Sequence, residues 1–197
     1  MLTFAKPHAE KALKPLGRLL KNVNPNVITL FGLVFPVVFF VLILHKQYVW
    51  GLVAIVLCAG DMLDGMVARM QNKVTAFGGF LDSTIDRFAD FVMLVAFGYA
   101  GLVGWNIVLP LVMCTYLISY IRSRTELAAK YQLVAAVGIL ERTERFIGLF
   151  AGLLLFAVFP KMHVLGQNLM AVTFAALLVL SVVTVAQRVV FAYKHLD

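Results

Sequence analysis

The stretch Val49–Arg69 reads VWGLVAIVLCAGDMLDGMVAR, and its first twelve residues, up to Gly60, carry no charge. Twelve residues are too few to cross a bilayer as a helix, which takes about 20. The run becomes long enough only if the helix continues through Asp61 and Asp64 to about Ala68. The next apolar run, Phe88–Val103, closes the same deficit by reaching back to Gly79, through Asp82 and Asp86. Carboxylates inside the ends of two membrane helices are expensive, and acids so placed are functional candidates.

The rest of the chain is equally apolar. Of 197 residues, 62% are hydrophobic and 14% charged, against about 45–50% and about 25% in a soluble domain. After the turn Asn24-Pro25-Asn26, the run Val27–Leu44 is uncharged and long enough for a first membrane helix, which Pro36 is expected to kink. Ile107–Ile121, Phe146–Phe159 and Leu169–Phe191 supply three more. The predicted fold class is an all-α integral membrane protein whose residues 24–197 form one domain of six transmembrane helices. Residues 1–23 precede it as an amphipathic, basic interfacial segment, with Lys6, Lys11, Lys14, Arg18 and Lys21 interleaved with leucines; a disordered basic tail is the other reading. The basic start resembles a secretory leader, but the apolar stretch after it is too long and lacks a small-residue cleavage site. It reads as a retained helix.

Lys and Arg number 17 against 10 Asp and Glu, and all but Lys46 and Lys161 fall on the N-terminal side of the six predicted spans. The positive-inside rule then puts both termini, the Asp cluster and the stretch Arg122–Arg145 at the cytoplasmic face of the cell membrane. The basic surplus follows the bilayer, and nucleic acid fits poorly with so apolar a chain. Cys58 and Cys114 sit inside apolar runs without a CxxC spacing, and the four histidines show no metal-binding spacing.

On a helix Asp61 and Asp64 lie within about 60° of each other, and Asp82 and Asp86 within about 40°. Each pair presents two carboxylates on one face, and the short connection makes the two helices antiparallel neighbours. Four such charges repel unless cations neutralise them. Two hard divalent ions, Mg²⁺ or Mn²⁺, suit oxygen ligands and clamp a diphosphate. Gly65 and Gly78 allow a bulky ligand close to the backbone, and Arg69 is placed to bind a phosphate oxygen. Solvated helix-terminal acids explain Asp82 tolerably, but not Asp61 and Asp64, which stand near a helix C-terminus where the dipole disfavours them.

The pattern D-x2-D-G-x2-A-R-x8-G-x3-D-x3-D, formed by Asp61, Asp64, Gly65, Ala68, Arg69, Gly78, Asp82 and Asp86, resembles the motif of the CDP-alcohol phosphotransferases without a departure. The start of helix one, Pro25 to Thr29, is similar to that family's as well. The resemblance implies that an alcohol hydroxyl attacks the lipid-side phosphorus of a CDP-lipid and CMP leaves. Asp61, Asp64 and Asp82 would be metal ligands, and Asp86 a ligand or the general base. Asn26, Thr29, Asp61, Gly65, Ala68, Arg69 and Gly78 would form the CDP-lipid site. A homodimer is implied too. Asp90 continues the Asp82/Asp86 face, either as a partner for Arg87 or as a support for the ligands.

A second informative region is Ser119-Tyr120-Ile-Arg122-Ser-Arg124-Thr-Glu126, followed by Glu141-Arg142-Thr-Glu144-Arg145. Arginines converging from helix ends suit an anionic, phosphorylated acceptor. The region is similar to the phosphatidylinositol-phosphate and archaetidylinositol-phosphate synthase branch, although Arg122 stands where lysine is common and Thr143 where proline is. That branch implies inositol phosphate as acceptor, its phosphate bound by Arg122, Arg124, Arg145 and Arg188. Arg188 interrupts a long apolar helix, and snorkelling to the interface is its ordinary alternative. Glycerol phosphate or another polar alcohol is the competing acceptor, and a diacyl or an archaeal ether lipid serves equally as donor. A cation-coupled transporter, the reading from another class, predicts acids spread along a pathway and a repeated architecture. The acids here crowd one face, and no repeat is evident.

Overall fold

The computed structural model describes residue 15 and residues 17–58, 62–164 and 166–196. Most of the predicted interfacial segment, residues 1–14 and 16, lies outside the described residues, and so does Asp61. The chain divides into two compact units, Met1–Met93 and Leu94–Asp197.

In the first unit, α1 (Pro25–Phe31) starts where the Asn24 side chain accepts from the Asn26 amide, with Pro25 in the first turn. Proline is tolerated there because that amide has no helical partner. The helix breaks at Gly32-Leu33 before resuming as α2 (Val34–Leu44). Pro36 is the cause: lacking an N–H, it cannot bond the carbonyl four residues back, at Gly32, so the expected kink falls one turn before the proline. A tight turn with Lys46 at φ 59° leads into α3 (Tyr48–Cys58). Gly51, Ala54, Ile55 and Cys58 are its buried residues, and Pro36, Phe39 and Ile43 those of α2. Both sets recur at helical spacing, and the two helices pack on each other. α4 (Met62–Met70) ends with Asn72 at φ 54°. The buried Gly17, in a helical turn over residues 17–19, lies where a Cβ would be 3.0 Å from Met66 Sδ. Thr75 then opens α5 (Ala76–Tyr99), its hydroxyl accepting from the Gly78 amide at 3.0 Å.

The second unit contains the end of α5, then α6 (Trp105–Ala128), α7 (Arg142–Val158) and α8 (Leu169–Leu196). Between α7 and α8, His163–Val164 (β1) pairs antiparallel with Gln167–Asn168 (β2), a small departure from the all-α expectation that turns on Gly166 at φ 74°. Asn168 caps α8 by accepting from the Ala171 amide and donates to the Leu102 carbonyl. α8 packs on both α6 and α7. Glycines shape the turn between α5 and α6: a Cβ at Gly98 would lie 3.0 Å from the Trp105 ring, Gly101 turns at φ 68°, and Gly104 caps α6.

Among the described residues, four segments are long and apolar enough to cross a membrane: Pro25–Leu44, Tyr48–Met70, Trp105–Ala128 and Leu169–Leu196. The other two predicted spans fall short of that standard for physical reasons. α5 has the length but carries Asp82, Asp86, Arg87 and Asp90, and α7 has only 17 residues. α6 runs beyond the predicted Ile121 to Ala128, so Arg122 and Arg124 stand on a helix and not in a loop.

Gly152 of α7 has no room for a side chain, since a Cβ there would come within 2.5 Å of Thr173 on α8. Gly152→Val is expected to destabilise the protein by about 1–3 kcal/mol through overpacking. Adding Thr173→Ala should recover part of that loss, read by thermal unfolding in detergent.

Candidate active site

The carboxylate motif is distributed over α4 and α5. Asp64 is 9% exposed, and the Thr29 hydroxyl of α1 donates to its Oδ2 at 2.5 Å. Thr29 reaches it because the Asn24 cap and Pro25 set the phase of the short α1 helix, which packs on α4. Asp64 and Asp82 line one open cleft of about 270 Å³, together with Asn26, Thr29, Gly65, Ala68, Arg69 and Gly78. These residues come from the start of α1, from α4 and from the first two turns of α5.

The two motif glycines keep this cleft open. A Cβ at Gly78 would stand 3.1 Å from Thr75 Oγ1 and 3.4 Å from Asn26 Oδ1, and one at Gly65 would stand 3.4 Å from Arg69 Nη1. A side chain at Gly78 would crowd the groups that line the wall, and one at Gly65 would come into contact with Arg69.

Asp86 follows Asp82 by one turn, about 6 Å further along the helix. It is absent from the cleft lining. Its carboxylate is 15% exposed and lies 3.3 Å from Arg87 Nη1. Asp90, another turn on, is buried at 3% exposure. Thus Arg87 pairs with Asp86. Among the described residues, which exclude Asp61, no three acidic, His or Cys side chains gather at one point. The donors present are carboxylate oxygens, the chemistry that Mg²⁺ and Mn²⁺ require.

Sequence reasoning missed Lys73, Thr75 and Gly79, which also line the cleft. Thr75 carried a usable signal, a hydroxyl three residues before Gly78 at the start of a helix. Lys73 lay inside the unconstrained spacer of the motif and carried none.

The predicted acceptor arginines belong to the second unit and differ in environment. Arg122 pairs with Glu126 one turn along α6, at 2.9 Å, and Arg124 is exposed. Arg145 is buried at 3% exposure in the first turn of α7. Arg188 is buried at 4%, and it does not snorkel. Its guanidinium donates to the carbonyls of Ile118 and Val137, at 2.6 and 2.8 Å, and approaches Glu141 at 3.3 Å.

The sequence profile described as CDP-alcohol phosphatidyltransferase matches residues 22–194. The chain is 36% identical over 200 residues to an archaetidylinositol phosphate synthase of Pyrococcus horikoshii, covering 100% of this chain and 99% of that one. It is 33% identical to a phosphatidylinositol phosphate synthase of Mycobacteroides abscessus, covering 94% and 83%. Crystal structures of Mycobacterium tuberculosis phosphatidylinositol phosphate synthase superpose on it with 27% identity. The form with CDP-DAG bound gives a TM-score of 0.78 over 91% of this chain and 92% of that one. The complex with manganese and citrate gives 0.79 over 91% and 88%.

Thr29→Val removes the hydroxyl donor from Asp64 while preserving shape. It is expected to lower stability by about 1.5–3 kcal/mol, the worth of a hydrogen bond to a charged group. Thr29→Ser should retain most of it, both read as unfolding midpoints in detergent.

Proposed function

This chain belongs to the CDP-alcohol phosphatidyltransferase family, and on that premise we propose that it moves the phosphatidyl or archaetidyl group of a CDP-lipid onto a hydroxyl of inositol phosphate, releasing CMP. The observation that carries this reading is the single cleft that unites Asp64 and Asp82 with Asn26, Thr29, Gly65, Ala68, Arg69 and Gly78. The inositol phosphate acceptor is supported by the names of the relatives, among them the synthases of Pyrococcus horikoshii and Mycobacteroides abscessus.

In this reading Asp61, Asp64, Asp82 and Asp86 hold two divalent ions, Mg²⁺ or Mn²⁺. The manganese in the Mycobacterium tuberculosis structure supports that choice. When bound, the ions neutralise the diphosphate and ease the departure of CMP. The chain's own groups do the rest. Arg69 binds a phosphate oxygen, and the bare backbones of Gly65 and Gly78 admit the nucleotide. Asn26, Thr29 and Ala68 complete the CDP-lipid site. Asp86 accepts the acceptor's hydroxyl proton as the oxygen–phosphorus bond forms and the bond to CMP breaks. Arg87, 3.3 Å from the Asp86 carboxylate, orients it before substrate arrives.

Arg122, Arg124, Arg145 and Arg188 bind the acceptor phosphate, Arg188 from a guanidinium already aimed by two backbone carbonyls. The domain is residues 24–197 with six membrane helices, and residues 1–23 lie on the membrane surface as a basic amphipathic segment. For α5, spanning requires that its acids face away from lipid; the burial of Asp90 and the low exposure of Asp86 support this. The distribution of Lys and Arg supports a cell-membrane protein with both termini and the active site facing the cytoplasm. The enzyme acts as a homodimer.

Purified protein with CDP-lipid, Mn²⁺ and inositol phosphate should release CMP, and a chelator should stop it. Release with glycerol phosphate and not inositol phosphate would replace the acceptor; no release with any alcohol would sink the reading. Asp86→Asn is expected to slow turnover by about 10²–10⁴-fold, the usual worth of a general base. Arg124→Ala and Arg122→Ala should chiefly raise the KM for the phosphorylated acceptor.

A further inference from the structure

The connection between α6 and α7, residues 129–141, has no regular structure of its own. Its amides and carbonyls therefore need partners from elsewhere. One face of α8 supplies them. Thr184 Oγ1 accepts from the Leu140 amide at 3.0 Å, Gln187 Oε1 accepts from the Ile139 amide at 3.2 Å, and Arg188 Nε donates to the Val137 carbonyl at 2.8 Å. Three side chains spaced over little more than one helical turn thus hold three residues, Val137, Ile139 and Leu140, of an otherwise irregular segment. Upstream, Glu126 Oε1 accepts from the Ala135 amide at 3.2 Å.

The fit is close. Gly138 stands at φ 138°, a conformation that side chains rarely adopt, and a Cβ there would lie 2.4 Å from Thr184 Cγ2. Leu140 is 3% exposed and Thr184 is fully buried. Water is therefore a poor substitute for the hydroxyl that bonds the Leu140 amide.

The held segment leads directly into α7. Glu141 caps that helix reciprocally with Glu144, and the Arg145 amide donates to the Glu141 carbonyl at 3.1 Å. Arg145 thus follows the clasped residues by one helical turn, with no flexible link between. We propose that Thr184 and Gln187 are positioning residues: through the backbone of residues 137–141 they set the start of α7 and so the placement of Arg145 for a phosphorylated acceptor. This rests on the acceptor reading given above. Neither residue need touch substrate, and their effect belongs to the acceptor and not to the CDP-lipid.

The test is a KM comparison on the full-length enzyme in detergent with Mn²⁺, CDP-lipid and inositol phosphate, joined to hydrogen exchange at the Ile139 and Leu140 amides. Thr184→Val keeps the shape and removes the acceptor oxygen, while Thr184→Ser keeps the oxygen. Gln187→Ala is a milder variant outside the buried core, for use if Thr184→Val does not fold, and Gln187→Glu retains its acceptor. Thr184→Val and Gln187→Ala should speed exchange at their amides and raise the KM for inositol phosphate roughly five- to tenfold, as a displaced binding group does. The KM for CDP-lipid should hold, and Thr184→Ser and Gln187→Glu should restore wild-type values. Unchanged exchange, or an equal rise in both KM values, overturns the proposal. So does faster exchange with an unchanged acceptor KM. Wild-type enzyme that ignores inositol phosphate overturns the acceptor reading instead; the same comparison is then made with whichever phosphorylated alcohol releases CMP. If none does, the positioning role falls with it, and the exchange data report the clasp alone.

Discussion

A carboxylate buried in an apolar helix pair costs several kcal/mol unless something compensates it, and the first unit is built around that cost at Asp64. The compensation visible in the chain is the Thr29 hydroxyl on Oδ2 and the Gly65 amide on Oδ1. Thr29 can serve only if α1 begins at Pro25, which the Asn24 cap and the proline together enforce. The same helix start brings Asn26 beside Gly78, at the head of α5. One hydrogen bond therefore ties the start of α1 to α4, and a glycine allows α5 to approach the same place. The cleft is the space left between these three constraints.

The second unit meets the same difficulty with the opposite charge. Arg188 is nearly inaccessible, and its guanidinium is paired with two backbone carbonyls and a glutamate. One of those carbonyls, that of Ile118, lies inside α6, and the other, that of Val137, lies in the irregular segment before α7, where no helix or strand supplies a partner. Buried charge and irregular backbone thus satisfy each other. A leucine at position 188 would fit the helix's composition better, but it would deprive the Val137 carbonyl of its donor. In the proposed acceptor site this guanidinium would be held before the anion arrives, which would remove much of the ordering cost from binding.

Both arrangements bear on catalysis in the same way. Transfer of a phosphatidyl group needs charge to be met at fixed points in a medium that screens little. Here the points are set by rigid helices and their caps, and glycines keep the approach open. The exposed apolar side chains along the helices, among them Val37, Val41, Val53 and Val182, carry no such precision. They suit contact with lipid, where shape matters little.

The sequence by itself determined the helical, membrane character and the residues of the carboxylate motif. Their spacing obeys local geometry, since residues three and four apart share a helix face whatever surrounds them. It also located most helix boundaries, because charge, proline and glycine act on their immediate neighbours. It fared worse with the end of α6, expected at Ile121 although the helix continues through Arg122 and Arg124 to Ala128, because an ion pair such as Arg122–Glu126 serves a helix as well as a turn. Only the tertiary structure decided that Thr29 answers Asp64, 35 residues away, and that Arg188 is spent partly on carbonyls 51 and 70 residues distant. Such partners are chosen by how helices pack, and packing depends on contacts between distant stretches of chain that no local pattern encodes.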